Sequence, residues 1–173
     1  MIRVIGIVVM ALSAVCVGYS TATNVKRRID ELIYVKRLMT MFQGELRYKN
    51  VALADGFAAV ACRANGAYKE LFLRLSSATE DNHSCTMAQV FAKNVDETLV
   101  GHTCLSKDDI LRLKELGETM GYQDQNMQIA NIDLYIERLT DSIEEDKAKM
   151  KDTMKMYRTL GVMGALVCIL VFI

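Results

Sequence analysis

Two short pairs carry the most reactive side chains of the sequence, His83-Ser84-Cys85 and His102-Thr103-Cys104. Two imidazoles and two thiolates make a tetrahedral zinc set on paper. The spacing argues against it, because each pair leaves a single intervening residue where structural zinc pairs usually leave more. Both pairs also fall in predicted loops. The same residues could supply a Cys–His nucleophile, but no Asn or Asp stands at a recognisable position to orient the imidazole. Glu144-Glu145-Asp146 is a run of acids within a helical stretch. Consecutive residues point around a helix, so this run reads as a solvated face rather than a metal cluster. Glycine patterns that cradle phosphate are absent from the sequence. The residues therefore predict no catalytic, cofactor-binding or metal site and no small-molecule substrate. If the chain serves an energy-driven process, a partner must hydrolyse the nucleotide. A membrane enzyme working through the Cys/His pairs, with or without zinc, is the alternative that this reading leaves open.

Composition narrows the class further. The 173 residues hold 21 Lys+Arg and 21 Asp+Glu, so no global basic field attracts nucleic acid. There is no Pro, which fits long uninterrupted helices. The eleven Met residues read as ordinary filling of apolar gaps. The five cysteines are odd in number, form no C-x-x-C, and include Cys16 and Cys168 in apolar ends. This argues for a reduced, cytosol-facing middle rather than a disulfide framework.

Those ends set the organisation. Val4 to Thr21 is almost entirely apolar or small after Arg3, about the length a membrane-spanning helix needs. A cleaved signal peptide, with Ser20-Thr21-Ala22 as the processing site, is the competing reading. Leu160 to Ile173 is a second apolar run, extended at the interface by Met154, Met156 and Tyr157, with Gly161 and Ala165 in a small-xxx-small pattern. Basic clusters lie inboard of both: Lys26-Arg27-Arg28 and Lys36-Arg37 after the first, Lys147, Lys149, Lys151, Lys155 and Arg158 before the second. By the positive-inside rule both flanks are cytoplasmic. The expected layout is a transmembrane helix at 1–22, a cytoplasmic helical bundle at 23–156 and a second transmembrane helix at 157–173.

Within the bundle, helical periodicity recurs throughout. Val25, Ile29, Leu32, Ile33, Met39, Phe42 and Leu46 mark one face of a helix that ends near Asn50. Val51 to Cys62 is a short buried helix carrying Leu53, Phe57 and Val60. After the Asn65-Gly66 turn come Tyr68, Leu71, Phe72 and Leu75. A polar loop from Glu80 to Thr86 precedes Met87, Val90, Phe91, Val95 and Leu99. Ser106 to Leu139 is a helical hairpin on which the rest must pack. Ser106 and Asp109 have the spacing of a capping box. Ile110, Leu113, Leu116 and Met120 face one way. Gly121 ends this helix in the left-handed conformation, and Asp124 caps the next, whose apolar residues are Met127, Leu134, Ile136, Leu139 and Ile143. Leu113, Leu116, Leu134 and Leu139 are the predicted core of the hairpin. Gly117 and Gly121 serve close packing and backbone geometry at its joint. The fold class is all-α, about six helices. Glu45 and Tyr48, three apart on one side of the first helix, read either as an exposed Glu beside a half-buried Tyr or as a handle for a partner surface.

The whole chain resembles the stage III sporulation protein AB family of endospore-forming bacteria. The resemblance rests on the two terminal anchors around a helical middle. Its more specific pieces are Glu45-Leu46-Arg47-Tyr48 followed by Leu53-Ala54, the joint Leu116-Gly117-x-x-Met120-Gly121-x-x-Asp124 with Gln128, and Tyr157-Arg158-x-Leu160-Gly161 entering the last apolar run. Ala52 departs from the family pattern, in which a Pro precedes the Leu. The resemblance implies a helical domain similar to the platform protein of type II secretion and type IV pilus machines. It implies a non-enzymatic role in the channel complex between mother cell and forespore. The location would be the mother-cell membrane, with the bundle in the cytoplasm, and the partners a secretion-type ATPase of the same operon and other membrane subunits of the channel. A membrane-anchored adaptor or sensor is the other class of function that fits the residues.

Overall fold

In the computed structural model, residues 2–49, 51–80, 86–121 and 124–172 are described, with side chains for 23–49, 51–79, 86–121, 124–152 and 156. They form six helices and no strand: α1 (Ile2–Lys49), α2 (Leu53–Ala61), α3 (Gly66–Glu80), α4 (Met87–Leu99), α5 (Lys107–Thr119) and α6 (Gln125–Phe172). The all-α reading and the count of six agree with the periodicity. The chain divides into two compact units. One comprises Met1–Ile29 and Ile143–Ile173; the other is Asp30–Ser142. The boundaries of the larger unit lie inside the 23–156 stretch marked out by the sequence.

In the unit made from the two ends, Ile29 and Ile143 are buried. Arg28 and Asp146, both half-buried, form an ion pair at 2.6 Å. Glu145 and Lys149 pair one turn apart at 2.7 Å. The acidic run is thus split around the helix: Asp146 faces inward to Arg28, while Glu144 and Glu145 are exposed. Among the described residues no helix is long and apolar enough to cross a membrane. The side chains of the two apolar runs proposed as anchors, 1–22 and 157–173, lie outside the described ones apart from their helical backbone.

The Asp30–Ser142 unit is organised around aromatic rings. Phe57 on α2 stacks on Phe42 of α1, with centroids 4.6 Å apart and planes within 5°. It also touches Phe72 of α3 at 6.1 Å and Phe91 of α4 at 6.5 Å. All four are 1% exposed, and each contributes roughly 1.5–3 kcal/mol by leaving water. Leu32, Val35, Leu38, Met39 and Leu46 complete the α1 face. Tyr68, Leu71 and Leu75 line α3, Val95 and Leu99 line α4, and Leu113, Leu116 and Met120 line α5. Most of these are positions the helical period selects, with Val35 and Leu38 added; Ile33, expected on the same face, is exposed, because it directly follows the buried Leu32 and a helix turns successive residues to different sides.

On α6 the period is right at Leu139 and Ile143, which are buried, and wrong at Met127 and Leu134. The buried residues there are Gln128, Ile132, Tyr135 and Leu139, whereas Leu134 is 46% and Met127 51% exposed. Leu134 is therefore not a core residue. A tyrosine and a glutamine occupy inward positions because each can bury its carbon frame, and Gln128 has a specific carbonyl to reach.

Candidate functional site

The Glu45–Tyr48 pair is inverted relative to the sequence expectation. Glu45 is buried at 6% exposure, and Tyr48 is 84% exposed. Glu45 pairs with Lys49 one turn on at 2.5 Å and with Arg63 beyond α2 at 3.3 Å. The Lys49 hydrogen bond, reinforced by the charges of Lys49 and Arg63, outweighs burial and holds this carboxyl below its ordinary range. Glu45 ties the end of α1 to the α2–α3 turn. The Tyr48 side chain stands out into solvent at the end of α1.

A groove of ≈ 340 Å³ runs beside this end of α1, lined by Leu46, Arg47, Gln125, Asn126, Ile129, Ala130 and Asp133. Its walls are α1 and α6, which run antiparallel within the unit. Three polar straps hold them. Gln43 Nε2 donates to the Ile129 carbonyl at 3.4 Å, Gln125 Nε2 donates to the Leu46 carbonyl at 2.8 Å, and Arg47 pairs with Asp133 at 2.8 Å. A hydrogen bond from Gln43, then Arg47, holds the Asp133 carboxyl low. No periodicity argument could find these straps, because the partners stand about 80 residues apart. On the same outer side of α1 lies Gly44, around which an added Cβ would meet nothing within 4 Å. A glycine within a helix costs about 1 kcal/mol relative to alanine, and neither an internal contact nor a positive φ requires one at Gly44.

The α5–α6 joint matches its sequence reading in most parts. Ser106 and Asp109 make the reciprocal capping box. Asp124 Oδ1 accepts the Asn126 N–H at 3.0 Å and so caps α6. Gln128 Nε2 donates to the Met120 carbonyl at 3.2 Å, satisfying a C-terminal group of α5. Gly121 differs from expectation: the described glycines with positive φ are Gly66 and Gly101. Met120 closes α5 in the right-handed region instead, its N–H bonding the Gly117 carbonyl. Gly117 is required by packing, since a Cβ there would overlap the Phe91 ring root.

The Cys/His pairs are not assembled by the described residues. His83 and Cys85 lie outside them. His102 and Cys104 are exposed, and no group of three or more His, Cys, Asp or Glu among the described residues is placed to hold a metal. The Cys104 N–H instead bonds Glu31 on α1. Glu31 also accepts from Leu105; burial nevertheless raises its carboxyl above the ordinary value. Beside it the Tyr68 hydroxyl is buried, edge-on to Tyr34 at 5.4 Å. Burial, with the Glu31 charge added, keeps Tyr68 neutral across the accessible pH range. Glu31 thereby fastens the α4–α5 connector to α1.

The described residues thus define an all-α helical bundle with a capped α5–α6 joint and α1 strapped to α6. Residues 3–173 match the family described as Stage III sporulation protein AB, and the chain belongs to that family. A solved structure described as "Stage III sporulation protein AB (SpoIIIAB)" is similar in fold, with a TM-score of 0.63 at 18% identity over 72% of this chain and 97% of that one. A search of curated proteins finds no match. Family membership supports a role in sporulation.

Proposed function

We propose that the chain is a non-enzymatic platform subunit of the channel complex between mother cell and forespore. In this reading residues 1–22 and 157–173 anchor it in the mother-cell membrane facing the forespore. The helical bundle lies in the cytoplasm against a secretion-type ATPase of the same operon, alongside the other membrane subunits of the channel. The observation that carries the reading is the family match across residues 3–173. The basic clusters inboard of both apolar runs support the topology. A platform transmits an ATPase's shape change only if it contacts the ring differently in different nucleotide states. Tyr48 is the candidate contact, being 84% exposed at a helix end. Glu45 acts through it by holding that end in place.

The test is capture of the ATPase of the same organism by the full chain in detergent, with ATP, with ADP and with neither. Nucleotide-dependent capture, lost in Tyr48→Ala while the melting temperature is kept, supports the platform. Capture indifferent to nucleotide favours an adaptor. Stoichiometric zinc that disappears in Cys85→Ser and Cys104→Ser would favour the metal-dependent enzyme.

A further inference from the structure

Gly44 lies where an added Cβ would meet nothing within 4 Å, on the side of α1 away from its core residues. Ile33, Arg37 and Gly44 lie on the α1 face opposite its core residues, and Ala130, Leu134 and Glu137 lie on the corresponding face of α6. Ile33 is 42% and Leu134 46% exposed. The straps fix the relative heights of these residues. Gln43 stands level with Ile129 and Leu46 with Gln125, which puts Gly44 within a turn of Ala130 and Arg37 within a turn of Glu137. Neither Arg37 nor Glu137 has an ion-pair partner among the described residues. One helix of the groove thus offers a small residue and a cation, and the other offers a small residue and an anion at matching heights.

We infer that this face binds a second copy of the chain. A two-fold axis parallel to α1 and α6, running over the groove, brings α1 of one copy onto α6 of the other and leaves every height unchanged. Gly44 of each copy then meets Ala130 of the other, which permits close helix approach. Arg37 meets Glu137, and Leu134 is covered near Met41. The occupant is argued from the match of Arg37 with Glu137 and of Gly44 with Ala130, set against one like-charge pair, Asp30 with Asp141, at the end of the face. Asp30 and Ser142, where the chain enters and leaves the unit, remain at one end in both copies, as a common membrane would demand. The inference goes beyond the platform reading and does not use Tyr48.

The mass of the full chain in detergent, by light scattering after size exclusion, tests it, with circular dichroism as the control for folding. The wild type is expected to be dimeric at micromolar concentration. Arg37→Glu and Glu137→Arg are each expected to weaken association about tenfold or more, since symmetry repeats each reversed contact twice. The combined Arg37→Glu/Glu137→Arg variant is expected to regain wild-type association. Gly44→Leu should be monomeric with an unchanged or higher melting temperature, there being open space for its Cβ. A monomeric wild type overturns the inference. So does a charge-swapped double variant no better than the singles, or a Gly44→Leu chain that associates normally. A monomer whose ATPase capture falls in Gly44→Leu would assign the face to that partner and equally overturn it. Association is read on the chain alone and ATPase capture separately, so each reading can fail without the other.

Discussion

Gly117 sets two physical effects against each other, and the structure decides the sign. In a helix interior, Gly→Ala gains about 1 kcal/mol from backbone entropy alone. At Gly117 the new methyl would fall on Phe91 Cγ and come within 2.5 Å of its Cδ1 and 2.6 Å of its Cβ. Those atoms are at the root of a side chain that is 1% exposed, so ring rotation cannot clear them and α4 must move from α5. Overpacking of this kind costs roughly 1–3 kcal/mol and occasionally more. Contact with three atoms places it at the upper end, so Gly117→Ala should destabilise the protein by about 2 kcal/mol net. In a chain of this size that lowers the melting temperature by about 4–8 °C. Phe91→Ala removes Cγ and Cδ1, at its own cost of about 3–5 kcal/mol, but keeps the Cβ that lies 2.6 Å from the new methyl. In that background Gly117→Ala should be less destabilising than in the wild type, because one of the three close contacts remains and the neighbouring cavity lets the helices adjust. The cycle, measured by urea unfolding with far-ultraviolet circular dichroism, should show a coupling of about 1 kcal/mol or more. Stabilisation by Gly117→Ala with Phe91 intact would refute the packing argument.

Further expectations concern single contacts. In the Gly44→Leu background, where no second copy covers α6, Leu139→Ala should cost about 2–5 kcal/mol and Leu134→Ala should stay within about 0.5 kcal/mol; urea unfolding of the two decides which face of α6 is buried within the chain. Ser106→Ala removes half of the capping box and should cost about 0.5–2 kcal/mol by the same measurement. The Glu45 carboxyl is held below 4.5, so its stabilisation is present above pH 4.5 and is lost as pH falls through its lowered value. The wild-type melting temperature should drop in that acid window more than that of Glu45→Gln. Glu31 has the opposite sign. Its carboxyl is raised above 4.5, so its contribution is full below that pH and is lost as pH rises through the raised value. Glu31→Gln should flatten that decline, and a wild-type melting temperature that rises there relative to the variant would contradict the burial argument.

Residues near one another in sequence were legible because the forces that set them act within a few turns. Pro-free stretches, the Ser106–Asp109 spacing, the Asp124 cap and the periods of α1, α3, α4 and α5 follow from local backbone and side-chain geometry. The family pattern of Met120, Asp124 and Gln128 was legible too, and the structure supplies its reason in cap and carbonyl bonds. Other features depend on residues far apart. Glu45 is buried because Arg63, across α2, comes to meet it; by sequence alone an isolated glutamate is expected in water. Leu134 is exposed because α6 turns Ile132 and Tyr135 inward, and an apolar residue does not announce which way its helix is rolled. Its place at a helix end marks Gly121 as the special glycine, whereas Gly117 is the one that a neighbouring helix demands. The sequence alone determined that the chain is helical, where its joints fall and which family it resembles, since propensity, capping and apolar period are local. Tertiary structure alone decided which face of each helix is inside, which charges are paired and which surface is left outward, because those depend on what the fold brings up against them.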